Sequence, residues 1–285
     1  MRDKIHKLRW HFLTGLFLAT AFTWYVVYRE DRHGILTVAF LDIGQGDAIY
    51  IEAPNGNQIL LDAGPNKKIL KALGRVIPFY DRSIDLLALS HPHLDHFGGF
   101  LYVIPRYDIG GFVSSGTAHN TSEFGIFQKS LEQKNIKNIV VHRGTKVDMG
   151  DGVVLEVLFP DREVTNTTPH DGMLVMRLVY SKTSILLTGD MEENLENYLV
   201  SLNTGGLKSQ VLKVGHHGSH TSTSRTFLGY VSPTYAVISL GTDNSYGHPH
   251  KETLDILNKF GVSTLRTDIE GTIILKSDGE SLIIK

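Results

Sequence analysis

The stretch SHPHLDHFGG, residues 90–99, places three histidines and an aspartate within six consecutive positions. It follows SIDLLAL (83–89), a mostly apolar run that is typical of a strand buried on both faces. His91 and His93 are two residues apart, so they point to the same side of an extended chain. Neutral imidazole and carboxylate are ligands that zinc and manganese accept. The order H-x-H-x-D-H therefore predicts a metal-binding turn at the end of a strand.

The turn after His93 brings two more donors, Asp95 and His96, toward a second point. Four donors from one loop do not complete the coordination of two metal ions, so the ends of other strands must supply the remaining ligands. Three later segments qualify: LLTGD presents Asp190, LKVGHHGSH presents His216 and His217, and TPHDGMLV presents His170 just before a strand.

Composition narrows the class of protein. With 285 residues, 41% of them hydrophobic, the chain can bury a sizeable core. The net charge of -2 gives no global basic field for nucleic acid, and the basic residues Lys67, Lys68, Lys71 and Arg75 fit an ordinary solvated helix face. The absence of cysteine excludes disulfides, thiolate nucleophiles and cysteine-ligated zinc.

The N-terminal segment, residues 1–33, reads as a membrane anchor. Residues 12–28 carry no charge, a length near the lower limit for a membrane-spanning helix. Basic residues precede this run, whereas Arg29 and Arg32 after it are balanced by Glu30 and Asp31. The positive-inside rule then leaves the bulk of the chain outside the cytoplasm. The alternative is a cleaved signal peptide with Ala19-Thr20-Ala21 as its site, which would make the protein secreted.

The remainder, residues 34–285, reads as one domain of short apolar strands separated by glycine turns, with amphipathic helices interleaved. Asn55-Gly56 predicts a hairpin turn, and Thr121 predicts a helix N-cap. Strands outnumber helices, so we expect an α/β (α+β) domain with sheets inside and helices on their outer faces.

The ordered set of motifs resembles the metallo-β-lactamase superfamily of hydrolases. FLDIGQGDAIYIE, LLDAG, SHPHLDHFGG, LLTGD, LKVGHHGSHTS and SLGTDNSYGHPH are more narrowly similar to the soluble hydrolase domain of the ComEC DNA-uptake (competence) proteins. The resemblance implies a four-layer αββα sandwich, here preceded by one transmembrane helix, with a dinuclear metal site at one edge and nuclease-type phosphodiester hydrolysis. Two features depart from ComEC proteins: the many membrane-spanning helices are replaced by one segment, and His170 stands where those proteins often lack a histidine.

We expect two divalent ions, zinc or manganese. The predicted ligands of one ion are His91, His93 and His170, those of the other are Asp95, His96 and His216, and Asp190 bridges them. A hydroxide shared by the ions would then attack phosphorus in line. Asp62 is predicted to orient a ligand histidine. His248 is predicted to bind the phosphate or to protonate the leaving oxygen. His217, Ser219 and Ser222 are predicted to donate to a phosphate oxygen.

The leading functional interpretation is a membrane-tethered, extracytoplasmic phosphodiesterase acting on DNA, working beside a separate channel protein. One alternative is a hydrolase of another envelope ester, such as a phosphocholine-bearing polymer or a lactam. The other is a non-catalytic, metal-bound component of a DNA-uptake assembly. The sequence does not specify the oligomeric state.

Overall fold

The computed structural model describes residues 2–30, 32–202 and 205–285. Asp31, one of the two acidic residues that follow the apolar N-terminal run, lies outside the described residues. The side chains of residues 2–5, 8 and 28–30 also lie outside them, including that of Tyr28.

Two mixed β-sheets form the centre of the molecule. The first has eight strands in the order β15-β14-β1-β2-β3-β4-β5-β6, and the second has seven in the order β13-β12-β11-β10-β9-β8-β7. In chain order the strands are β1 Leu36–Phe40, β2 Ile49–Glu52, β3 Gln58–Leu61, β4 Ser83–Leu89, β5 Asp108–Ser114, β6 Asn138–Val140, β7 Lys146–Gly150, β8 Val153–Phe159, β9 Val175–Tyr180, β10 Thr183–Leu187, β11 Val211–Lys213, β12 Tyr235–Ile238, β13 Ser263–Arg266, β14 Ile273–Ser277 and β15 Leu282–Ile284.

Helices cover the outer face of each sheet, apart from α1, which does not pack on either sheet. In chain order the helices are α1 Arg2–Glu30, α2 Lys68–Val76, α3 Leu94–Phe97, α4 Phe100–Val103, α5 Ser122–Gln133, α6 Glu193–Leu202, α7 Arg225–Val231, α8 Lys251–Lys259 and α9 Thr267–Glu270. As predicted, Thr121 caps α5 by accepting a hydrogen bond from the backbone N–H of Phe124.

Three apolar clusters separate the layers. One lies between the two sheets and includes Phe40, Leu155 and Val237. The second packs α2, α4 and α5 on the first sheet, and the third packs α6, α7 and α8 on the second sheet. The layers are therefore helix, sheet, sheet and helix, and the predicted αββα sandwich is confirmed.

The parallel strands determine where the polar loops meet. Strands β3 to β6 run parallel to one another, and so do β10 to β13. The carboxyl ends of both parallel sets face the same end of the sandwich, which is called here the metal end. The opposite end, where Leu36 begins β1 and Gln58 begins β3, is called the entry end.

Within the described residues, α1 is the one helix long and apolar enough to cross a membrane, by length and composition. The span covers Arg9–Val27 and is not buried against the rest of the chain. Signal sequences near an N-terminus share these properties, so the helix supports membrane association without giving an orientation. Its large apolar side chains, among them Phe17 and Trp24, are exposed in the structure.

Candidate metal centre

The metal end gathers four donors into one compact group, called here the acidic group: Asp95, His96, Asp190 and His217. His96 Nε2 lies 3.2 Å from Asp190 Oδ2 and 3.9 Å from Asp95 Oδ2. His217 Nε2 lies 3.5 Å and 3.3 Å from the same two oxygens. Four tetrahedral donors at zinc-ligand bond lengths would be about 3.3 Å apart, so these residues fit a metal ion of that kind.

The two sheets both contribute to this group. Asp95 and His96 lie on α3, which begins five residues after the end of β4 in the first sheet. Asp190 and His217 follow β10 and β11 of the second sheet. Asp190 is almost fully buried, and its Oδ1 has no hydrogen-bond partner within the described part of the chain. An unpartnered buried carboxylate oxygen is costly unless a cation satisfies it.

His217 occupies the place that the sequence analysis gave to His216. Its Nδ1 donates to the carbonyl oxygen of Ser239 at 2.8 Å, which turns Nε2 toward Asp95 and Asp190. His216 Nε2 reaches only 4.0 Å from Asp190 Oδ2, and its Nδ1 lies 3.2 Å from Glu192 Oε1. Both histidines have positive φ, 45° for His216 and 54° for His217, and the two side chains diverge from this tight turn.

A second set of histidines, the histidine group, lies beside Asp190 and consists of His91, His93 and His170. His91 Nε2 is 2.9 Å from His93 Nδ1 and 3.8 Å from Asp190 Oδ2. The His170 ring centroid is 4.8 Å from that of His93 and 5.6 Å from that of His91. The three predicted residues are therefore adjacent, with His170 set further back, and the His216 ring is 5.3 Å from His170.

Asp62, predicted to orient a ligand histidine, is hydrogen-bonded to the ring of His96. Its Oδ2 accepts from His96 Nδ1 at 2.8 Å and from the Ser90 hydroxyl at 2.6 Å, and its Oδ1 accepts from the Ser90 N–H at 2.8 Å. These contacts leave His96 Nε2 directed at the acidic group. Asp62 has a positive φ of 57°, a conformation that brings its carboxylate back under the loop.

A buried ion pair beneath the centre was missed by the sequence analysis. Lys213 Nζ lies 2.6 Å from Asp47 Oδ2, and both side chains are at most 1% exposed. Asp47 Oδ1 is 3.5 Å from His217 Nδ1, and Lys213 also donates to the carbonyl of Val214 at 2.9 Å. A lysine inside the apolar strand QVLKV was the available signal, because lysine is almost never fully buried unless paired.

The loop that carries Asp47 approaches Asp95 closely. Gly46 has φ 116°, and a Cβ there would collide with the carbonyl oxygen of Asp95, so no other residue fits. The Asp47 N–H donates to that same carbonyl at 3.2 Å. The FLDIGQGD segment thus supports the metal end directly.

The pKa values of His91 and His93 shift in the opposite direction to that of His96. Burial, assisted by the positive neighbour His96, holds the pKa of His91 well below its usual range, and burial lowers that of His93 to about 4. Burial would also lower the pKa of His96, but Asp190, Asp62 and Asp95 outweigh it and raise the value well above normal. His91 and His93 therefore offer neutral imidazoles, whereas the carboxylates of the acidic group favour positive charge, as a divalent ion would provide.

The remaining predicted residues differ in their placement. His248 lies at the rim, its ring centroid 5.7 Å from that of His216, and burial lowers its pKa to about 4. The Ser222 hydroxyl donates to the carbonyls of Gly215 at 2.7 Å and Ser219 at 3.0 Å, and its predicted contact with a phosphate oxygen stays a prediction. Ser219 Oγ lies 3.0 Å from Thr221 Oγ1 and accepts from the Thr221 N–H, so it helps to hold the loop together.

Comparison with known proteins gives a consistent result. A family model described as "Metallo-beta-lactamase superfamily" matches residues 41–242. The chain is 33% identical over 255 residues to "Competence protein ComA" of Neisseria gonorrhoeae, covering 87% of this chain and 34% of that protein. It is 30% identical over 254 residues to "ComE operon protein 3" of Bacillus subtilis (strain 168), covering 83% and 32%. The chain thus spans about a third of the length of these curated relatives.

Among solved structures, CmlA from Streptomyces venezuelae, described as a diiron beta-hydroxylase, superimposes with a TM-score of 0.53 at 11% identity. The match covers 85% of this chain and 54% of that chain. This likeness concerns the fold alone, since one fold can carry different chemistries.

Proposed function

The chain belongs to the metallo-beta-lactamase superfamily, and on this basis we propose that it is a dinuclear metal-dependent phosphodiesterase that cleaves DNA. Membership of this family implies a metal-dependent hydrolase. The phosphodiester substrate and the nuclease activity are our proposal.

The observation that carries the proposal is the pairing of two donor groups across one buried carboxylate. His91, His93 and His170 would hold one ion. Asp95, His96 and His217 would hold the other, and Asp190 faces both sets, 3.8 Å from His91 Nε2 and 3.2 Å from His96 Nε2. A purely structural zinc is normally enclosed by four ligands, whereas here Asp95 and His93 keep part of their surface open to solvent.

Two divalent cations, zinc or manganese, would supply charge neutralisation at a phosphoryl group and a lowered pKa for an attacking water. The chain's own residues prepare the site for them. Asp62 fixes the ring of His96, and the Ser239 carbonyl fixes the ring of His217, so the donor atoms do not have to reorganise.

His248 would contact the substrate in this proposal. It lies beside His216 on the solvent side of the centre, and Asn244 holds its loop by donating to the carbonyls of Gly241 and His248 and accepting from the His248 N–H. With its lowered pKa, the imidazole is neutral near pH 7 and has one N–H to donate to a phosphoryl oxygen. Protonation of the leaving oxygen, which the sequence analysis also considered, would need a higher pKa than this.

The names of the relatives favour DNA over other phosphodiesters as the substrate. One relative is named "Competence protein ComA" and another "ComE operon protein 3", and the motif series is similar to the hydrolase domain of ComEC DNA-uptake proteins. We further propose that the protein works with a separate channel protein, which would carry out any transport step.

We further propose that α1 remains as an anchor and that the sandwich lies outside the cytoplasm. Lys7 precedes the span and Arg9 is its first residue, at the end where the positive-inside rule places the cytoplasm.

The proposal is tested with the full chain in nanodiscs, using single- and double-stranded DNA with manganese or zinc. Asp95→Ala and His93→Ala should abolish cleavage, whereas Asp255→Ala, an exposed aspartate paired with Lys251 on α8, should retain it. Bound metal should be counted in parallel by mass spectrometry. Two ions bound without cleavage of either DNA would reject the nuclease and point to another envelope ester or to a non-catalytic role.

A further inference from the structure

Two neighbouring aromatic side chains project from loop 77–82, which joins α2 to β4 at the entry end. Phe79 is 85% exposed and Tyr80 is 56% exposed, and their rings meet edge to face with centroids 5.4 Å apart. We propose that this loop rests in the headgroup region of the bilayer that α1 spans, and that it holds the metal end facing away from the membrane. The inference rests on the anchored location proposed above but not on the hydrolytic activity.

The loop lies next to the point where the chain arrives from α1. Arg32, the second residue after α1, forms an ion pair with Glu52 at 2.8 Å. Glu52 is paired with Gln58 in the register of β2 and β3, and Gln58 Nε2 donates to Asp81 Oδ2 at 2.6 Å. Asp81 belongs to the loop and is two residues from Phe79. This series of contacts connects the tether to the aromatic loop at one corner of the sandwich.

The tether is short and keeps that corner close to the membrane surface. Val27 ends the apolar span, and Arg32 is only five residues further along. Even fully extended, five residues reach at most about 18 Å. Trp24 and Tyr25, exposed near the end of the span, are residue types that concentrate at the membrane interface.

The chemistry of the corner fits lipid headgroups. Aromatic rings with polar neighbours are favoured at the boundary between headgroups and acyl chains. Three exposed arginines surround the loop: Arg75 at the end of α2, Arg82 within the loop and Arg106 before β5. Two acidic neighbours, Asp81 and Asp85, accept hydrogen bonds from Gln58, and Asp85 keeps exposed surface, as does Asp108 beside Ser83.

This orientation restricts the substrate. From Ser83 at the entry end to His91 at the metal end, the chain advances eight residues, and an extended strand would span about 26 Å. The headgroups of the same bilayer are then out of reach of the metal centre. Its substrate must be a solute or polymer in the aqueous phase, which suits a nucleic acid and excludes a lipid ester of the anchoring membrane.

The test uses the absence of native cysteine in the chain. A nitroxide is attached to Phe79→Cys or to Ile269→Cys in the full chain, in nanodiscs that contain phosphatidylglycerol. Ile269 is the matched control, because it is apolar, 69% exposed and lies on α9 at the metal end. We expect the label at position 79 to collide mainly with oxygen dissolved in lipid, and the label at 269 with a water-soluble nickel chelate.

A second variant measures the contribution of the aromatic ring. Here the nitroxide is carried by Arg82→Cys, and Phe79→Ser is the change that is tested. Phe79→Ser should shift the equilibrium between the docked and the free loop by about 10–100-fold toward the free state, the value expected for burial of one large apolar side chain.

Three results would overturn the proposal. They are a label at position 79 that is exposed to water in the nanodisc, a label at 269 that contacts lipid, and a mature chain whose N-terminus lies beyond α1. A label at 79 that becomes immobilised only when a protein extract is added would indicate a protein partner in place of lipid. None of these readouts requires DNA cleavage, so failure here is separate from failure of the nuclease assignment.

Discussion

Removing the buried cation beneath the metal centre should destabilise the sandwich even when no metal is bound. In Lys213→Met the side chain keeps its length but loses the ammonium that lies 2.6 Å from Asp47 Oδ2. Asp47, 1% exposed, would then be a buried charge without its cation. Breaking one partner of such a pair costs about 3–5 kcal/mol of unfolding free energy. For a domain of this size the loss corresponds to a melting temperature lower by about 6–20 °C.

The assay is thermal unfolding followed by far-ultraviolet circular dichroism in excess chelator, so that metal affinity does not contribute. Lys146→Met is the matched control: its partner Glu156 is 3.0 Å away, but the lysine side chain is 65% exposed, and such surface pairs contribute about 0–1 kcal/mol. The double variant Lys213→Met, Asp47→Asn should recover most of the loss, because it leaves no buried net charge. If Lys213→Met unfolds at the same temperature as Lys146→Met, or if the double variant is no more stable than the single one, the ion pair does not have the role described here.

The remaining predictions concern the metal donors and one acid outside the centre. His217→Ala should bind one ion fewer per chain than His216→Ala when bound metal is counted by mass spectrometry; equal losses would contradict the assignment of His217 to the acidic group. Asp62→Asn should weaken metal affinity by about 10–100-fold in competition with a chromophoric chelator, since the ring of His96 loses its carboxylate partner; unchanged affinity would show that Asp62 does not orient that ring. Burial raises the pKa of Glu196 to about 7 from an ordinary value of 4.5, so the folded chain holds a proton there that the unfolded chain releases. The contribution of this group to the free energy of unfolding should therefore be largest below pH 4.5 and should fall by about 3 kcal/mol as the pH rises to 7. Glu196→Gln should remove this pH dependence, which is measured by urea unfolding at about pH 5 and about pH 7.5.

Much of this site could be predicted from sequence because its donors come from strand ends. The motif around His91 and the aspartate of LLTGD each follow an apolar run, and the parallel strands bring such ends together. The choice between His216 and His217 could not be made in this way. The two are adjacent, and the hydrogen bond that orients His217 comes from Ser239, 22 residues away.

The Lys213–Asp47 pair was beyond the reach of motif analysis for a related reason. The two residues are far apart in the chain and meet only when β11 of the second sheet packs near the loop that follows β1 of the first. A single charged residue in an apolar strand indicates that a partner exists, but it does not identify the partner. Similarly, the exposed aromatics of loop 77–82 became informative only when their position beside Arg32 was known.

The division of the acidic group between the two sheets has a consequence for biogenesis. Asp95 and His96 are made and, for an exported chain, cross the membrane more than ninety positions ahead of Asp190 and His217. Until the later strands have been added, the first loop offers an incomplete set of ligands that would bind an ion weakly and release it. High-affinity metal acquisition thus becomes one of the last events in maturation, and the compartment in which the sandwich closes determines which metal the protein receives.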